Sequence, residues 1–253
     1  MSETYANFWC DSHDPVYDTR QSRNEFVAKL IAADFPDAAE IINVGGGGKR
    51  HLQAALSEAG VAGSRSVREI DMVGDCDLII NLDEVDALPL EDGAADLCVA
   101  TDILEHLENF HLVSRELVRV ARNAVIISLP VPTNSFLHIA ADNRQREPAQ
   151  RGVFDKFYGL PLEKPEDRHR WWYAVEDVER YFAHLAQELN LELRFFTTRR
   201  AYRVQGLKGK LLRLVLGRRL YRNIRYPYVW IVLKKPAVQP KKKAKVKKAG
   251  RSS

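Results

Sequence analysis

The sequence predicts an α/β fold: a doubly wound, seven-stranded, mostly parallel sheet with helices on both faces. Two observations carry that expectation. Short apolar runs of strand length alternate with segments of helical spacing along most of the 253 residues, the pattern of repeated strand–helix–strand units. The first apolar run, "EIINV", breaks into four consecutive glycines before helical spacing resumes, as at the tight strand-to-helix turn of a Rossmann-like sheet.

Taken in order, "TRQSRNEFVAKLIAADFP" reads as a helix that stops before Pro36, since the residue preceding a proline is pushed out of helical geometry. "EIINV" is a buried-type strand, and "RHLQAALSEAG" a helix closed by Gly60. "SVREI" and "DLIINL" supply the second and third strands, and "ADLCVAT" the fourth. A helix across "ENFHLVSRELVRVAR" leads to the fifth strand, "AVIISLP". The next stretch, to about residue 170, is rich in proline, arginine and aromatics and too long for a simple connection. "AVEDVERYFAHLAQEL" is helical again, and "LELRFFTT" is the sixth strand. Residues 207–224 form a basic helix weakened by Gly209 and Gly217. "YPYVWIVLKKP" is the seventh strand.

A chain of this length with 45% hydrophobic residues can bury one full core. No window approaches the roughly 20 apolar residues of a membrane span, and the opening residues lack a signal-like pattern. Cys10, Cys76 and Cys98 are far apart and lack metal-ligand spacing, so no metal site is read. A reducing cytoplasm is the expected location. Charge is divided unevenly. From Leu193 to Ser253 there are 20 Lys/Arg and no Asp or Glu, which leaves the first 192 residues with 18 basic and 34 acidic side chains. Such a division points to an anionic partner at the C-terminal end.

Three phosphate or nucleotide turns compete for the glycines. A P-loop requires Gly-Lys-Ser/Thr, but Arg50 follows Gly48-Lys49 and Asn43 stands where the first glycine belongs. The dinucleotide fingerprint fits Gly45 and Gly47 but meets Arg50 at its third glycine. An adenosyl ligand lying against a glycine turn needs neither feature. It does need an acid at the tip of strand two to accept from both ribose hydroxyls, and Asp71 stands 24 residues past Gly47.

Downstream, "NLDEVDALPLEDGAADLCVATDILEHLEN" contains Asp83, Leu88-Pro89-Leu90, Asp92-Gly93, Asp96 and Leu104-Glu105-His106 in series. That order resembles the class I S-adenosylmethionine-dependent methyltransferases, in the group with a Leu-Glu-His segment after strand four. The resemblance spans about residues 40–130. It implies that Gly45, Gly46 and Gly47 line the methionine and ribose, and that Asn43 also binds the cofactor, by hydrogen bonding and without a charge for the ligand's ammonium group. It likewise assigns the ribose hydroxyls to Asp71, the adenine edge to Leu82 and Asp83, and the methionine portion to Thr101 and Asp102. The family usually carries an acid at the position of Asn43 and often a glycine at that of Lys49. On this basis residues 1–39 form a lid and helical segment, with Tyr5, Phe8 and Trp9 as candidate lid aromatics. Residues 40–236 form the methyltransferase domain, with a substrate-side insert at 131–172 and a basic helical insert at 203–225. Residues 237–253 are a disordered lysine-rich tail.

S-Adenosyl-L-methionine is therefore the expected cofactor and in-line methyl transfer the expected reaction. Where the acceptor is a hydroxyl, a base becomes useful. His106 and His169 are the candidates, imidazole being suited to proton transfer near neutrality. Arg168, Arg170, Trp171 and Trp172 make a cationic, aromatic neighbourhood fit for an anionic or ring-bearing acceptor. The basic quarter suits either a sheet-covering helix or peripheral contact with an anionic membrane at its inner face; nucleic acid fits the charge but no RNA module accompanies it. The leading expectation is a methyltransferase for a small or lipid-linked acceptor, a saccharide among the candidates. The alternatives are an RNA or protein methyltransferase and a non-catalytic methyltransferase-like binding domain.

Overall fold

Strand alternation sorts the apolar side chains onto two faces of one sheet, and each face recruits its own helices. The structure is a computed structural model that describes residues 19–60, 63, 65–141, 168–198 and 207–236. Its strands are β1 (Glu40–Val44), β2 (Ser66–Asp71), β3 (Leu78–Ile79), β4 (Ala95–Thr101), β5 (Ala121–Pro130), β6 (Glu192–Thr198) and β7 (Tyr228–Lys234). They lie in the order β3-β2-β1-β4-β5-β7-β6, with β7 antiparallel to both of its neighbours. The helices are α1 (Arg20–Asp34), α2 (His51–Glu58), α3 (Phe110–Val120), α4 (Pro132–Ala141), α5 (Val175–Glu188) and α6 (Leu207–Arg225).

Ile41, Leu97, Val99, Ile126 and Trp230 point to the face covered by α1 and α2, where they meet Phe26, Leu30, Ile31, Leu52 and Leu56. The intervening residues Ile42, Val44, Cys98, Val125 and Ile231 point to the face covered by α3 and α5, against Val113, Leu117, Phe182 and Leu185. Successive strand residues face opposite sides, so a sheet buried on both faces needs continuous apolar runs. The fully buried Trp230 lies 4.7 Å from Phe26 and is stacked on Phe196. A reciprocal capping box between Thr19 and Ser22 fixes the start of α1. This start lies at the carboxyl edge of the sheet, the edge at which β1, β2 and β4 end.

Four details differ from the sequence reading. The third strand, expected across "DLIINL", narrows to Leu78–Ile79 because it is the edge strand, with Ile79 67% exposed, and Leu82 turns back into the core. Strand five starts at Ala121, directly after α3, where the reading began it at Ala124. The insert after β5 begins with α4. Gly217, at φ 72° and ψ 162°, breaks α6 into two helical pieces. Tyr5, Phe8, Trp9, residues 142–167 and the tail 237–253 lie outside the described residues.

Candidate active site

Between β1 and α2 the chain turns through Gly45 (φ +74°), Gly46 and Gly47 (φ +78°). Sequence and geometry agree here on the residue type. A Cβ on Gly45 would stand 2.5 Å from Ile103 Cγ1. One on Gly46 would overlap the Glu69 carboxylate and stand 2.6 Å from Asn43 Nδ2. Positive φ costs little only for glycine, and Gly46 has no space for a side chain. The turn is held from beside: the Gly45 amide donates to Ile70 O at 2.8 Å, and the Asp75 amide to Gly48 O at 3.0 Å. Arg50, itself in the left-handed region at φ 49°, ties Asp75 and Asp77 with its guanidinium at 2.9 and 3.1 Å.

Asp71 ends β2 beside this turn. Its Oδ2 accepts the Gly47 amide at 2.7 Å and its Oδ1 the Met72 amide at 2.7 Å. The sequence assigned this carboxylate to two ribose hydroxyls alone; the structure gives it a share in holding the glycine turn as well. A carboxylate offers about four lone-pair directions, and the Val73 amide, at 3.4 Å from Oδ1, is a third, longer donor to it.

Asn43 is buried, and its amide nitrogen donates to both oxygens of Glu69 at 3.0 Å. Parallel register sets Asn43 opposite Glu69 on the α1/α2 face of the sheet. Desolvation raises the Glu69 carboxyl above its ordinary range, and the Asn43 hydrogen bond and the charge of Arg50 oppose that rise. A buried carboxylate on strand two thus stands against Asn43 on strand one. Sequence reasoning missed Glu69, whose signal was an acid at an interior position of the strand "SVREI".

At the end of β4, Thr101 is buried opposite Ser128. Asp102 has φ +52°, a conformation that costs a non-glycine residue on the order of 1–3 kcal/mol and clusters at functional sites. Arg23 pairs with its Oδ2, and Ser128 Oγ donates to its Oδ1 at 2.6 Å. The far end of Arg20 lies over Gly47. Both arginines come from the first turn of α1, which sequence reading did not connect to the site. Asp83 accepts the Asn109 amide at 3.1 Å, and its Oδ2 lies 3.9 Å from Arg170 Nε. Together with the buried Leu82 it fastens the segment after β3 to the start of α3.

The 3₁₀ turn Leu104–His106 follows directly. The rings of His106 and His169 meet edge to face, 4.7 Å between centroids, and Glu105 Oε1 is 3.7 Å from His106 Nε2. Glu105 and His169 are buried. Arg170 fastens the two segments: its amide donates to Glu105 O and its Nε to His106 O, both at 2.7 Å. Trp171 Nε1 adds a bond to Leu107 O at 2.6 Å. Through these bonds Arg170 and Trp171 hold the segment in place. Arg168 adjoins His169, and Trp172 is exposed and edge-on to Phe136. Trp172 and Tyr173 line an open cavity of about 540 Å³, together with Leu216, Gly217 and Leu220 of α6. Tyr173 donates to Pro130 O at 3.0 Å; burial, then the charges of Glu105 and Asp102, push its phenol well above its ordinary range.

Comparison with known proteins fits this geometry. Residues 45–129 match the family described as "Methyltransferase domain". The plantazolicin methyltransferase BpumL in complex with SAH superposes with a TM-score of 0.52 at 10% identity, covering 87% of this chain and 86% of that one. A SAM-dependent methyltransferase from Aquifex aeolicus superposes with a TM-score of 0.42 at 15% identity, covering 89% and 94%. No curated protein matches at the sequence level. The BpumL superposition shows the fold, and residues 45–129 of this chain are similar to the methyltransferase domain family.

Proposed function

We propose that the chain methylates a lipid-linked acceptor presented at an anionic membrane surface, with S-adenosylmethionine as donor. The carboxyl edge of β1, β2 and β4 fits that cofactor. Gly45, Gly46 and Gly47 leave backbone bare where an adenosyl group would lie, and over Gly47 only the far end of the flexible Arg20 side chain intrudes. Asp71 would accept from the ribose hydroxyls, and Leu82 and Asp83 would border the adenine. Thr101 and Asp102 would face the methionine portion, with Asn43 and Glu69 beneath the turn. Bound there, the cofactor supplies a methyl already activated on a sulfonium sulfur. What remains for the protein is alignment and exclusion of water, which can contribute about 7–11 kcal/mol. His106 and His169 would handle the acceptor proton, while Arg168, Arg170, Trp171 and Trp172 would border the acceptor.

The observation that carries the acceptor class is the surface of α6. Leu211, Leu214 and Val215 are 60%, 80% and 74% exposed; Arg213 lies among them, and Arg218 and Arg219 follow directly after the break at Gly217. Exposed apolar side chains among cations suit the boundary of an anionic bilayer, and a polybasic tail adds a second attachment. The break at Gly217 sets this surface beside the cavity at Trp172. No helix among the described residues is long and apolar enough to cross a membrane; the contact proposed is peripheral, at the inner face.

Transfer of labelled methyl into extract fractionated into lipid, nucleic acid, protein and small molecules tests this reading. The label is expected in the lipid fraction, and Leu214→Asp is expected to abolish co-sedimentation with anionic vesicles. Label confined to RNA or protein would replace the proposed acceptor class. No label in any fraction would leave a non-catalytic binding domain.

A further inference from the structure

We infer that Glu105, His106 and His169 form a site for one divalent transition-metal ion, zinc by its ligand chemistry, open on one side to an acceptor hydroxyl. One ligand atom from each residue lies within 4.8 Å of the other two, and Glu105 Oε1 is 3.7 Å from His106 Nε2. Zinc bonds of about 2.0–2.2 Å in tetrahedral geometry set ligand atoms about 3.3 Å apart. The ligand atoms would draw together by up to about 1.5 Å to reach that spacing. Two imidazoles and a carboxylate are a ligand set of catalytic zinc, which keeps its fourth position for water or substrate.

Two further features support a built site. The ligands come from segments more than sixty residues apart, yet Arg170 and Trp171 donate to three successive carbonyls, Glu105 O, His106 O and Leu107 O, at 2.6–2.7 Å. This clamp delivers His169 to the pair beside it, as outer-shell hydrogen bonds orient ligands elsewhere. Glu105 is also buried, which would keep an ion bound to it away from bulk water.

The functional consequence rests on the methyltransferase reading above. A hydroxyl that ligates the ion loses its proton to bulk water near neutrality, as zinc-bound water does, and the oxygen remains on the metal as an oxyanion. The acceptor class therefore narrows to hydroxyl-bearing molecules.

The test uses the full chain, freed of metal by a chelator and titrated with zinc by calorimetry and with cobalt(II) by visible absorption. One equivalent is expected, with intense d–d bands of low-coordinate cobalt. His169→Ala and Glu105→Gln are each expected to weaken zinc binding at least tenfold, whereas changing the exposed His184 to alanine leaves it unaltered. S-Adenosylhomocysteine binding, measured on each variant, reports folding and keeps the two readings separable. Zinc binding that is equally tight in the wild type and both variants, with S-adenosylhomocysteine still bound, would overturn the metal site and leave the histidines as simple bases. Zinc binding without S-adenosylhomocysteine binding would sustain the site and overturn the donor reading.

Discussion

The two edges of the sheet handle charge in opposite ways. At the amino edge, Asp96 sits at the start of β4 and accepts the amides of Ala39 and Glu40 at 2.9 and 3.0 Å, with Arg122 on its other oxygen. Burial raises its carboxyl, but those three donors outweigh it and hold it below its ordinary value. Arg119 nearby is matched by Glu116, Asp92 and the carbonyls of Leu88 and Leu90. At the carboxyl edge, Glu69 is buried with its carboxyl raised, Asp102 holds a left-handed backbone, and a glutamate and two histidines crowd together. Charges at the first edge stabilise the fold. Those at the second are held at a cost to stability, as expected where a ligand is to be bound.

Substitutions at the two edges should therefore differ in kind. The largest effect is expected for Gly46→Ala, whose methyl would overlap the Glu69 carboxylate. Such overpacking costs about 2–3 kcal/mol, measurable by denaturant unfolding, and should weaken S-adenosylhomocysteine binding at least tenfold. Asp96→Asn is next. Loss of charge-assisted bonds to two amides and Arg122 should remove about 1–2 kcal/mol, with ligand affinity unchanged. The Asp96 contribution is present above the ordinary carboxyl value of 3.8 and is lost as pH falls through the lowered folded value. Glu69→Gln should have the smallest effect and the opposite sign. With its folded value raised, Glu69 contributes stability below its ordinary value of 4.5 and loses it as pH rises through the raised one. At pH 7 the variant should equal or exceed the wild type by up to about 1 kcal/mol, a margin that vanishes in acid. A Glu69→Gln variant clearly less stable at pH 7 would remove the contrast between the edges.

Local chemistry explains what was legible beforehand. Gly45, Gly46 and Gly47 announced the turn because only glycine tolerates its backbone, and Asp71 was found by its distance from them along one strand–helix–strand unit. The apolar runs gave the strands, since a doubly covered sheet has no polar face to interrupt them. What escaped depends on long-range placement. The Asn43–Glu69 pair requires strand register, and Arg20 and Arg23 reach the turn only once α1 packs on the sheet. Glu105 and His169 meet through backbone bonds of Arg170, which no periodicity encodes. The third strand was read too long because an edge strand lacks the second neighbour that would extend it. Gly217 signalled a weak helix, and the break was found there.

The most direct measurement is calorimetric titration of S-adenosylhomocysteine into the wild type, Gly46→Ala and Asp96→Asn. One site is expected on the wild type, at least tenfold weaker in Gly46→Ala and unchanged in Asp96→Asn. No heat of binding at millimolar ligand, or equal weakening by both substitutions, would contradict a donor site at the carboxyl edge.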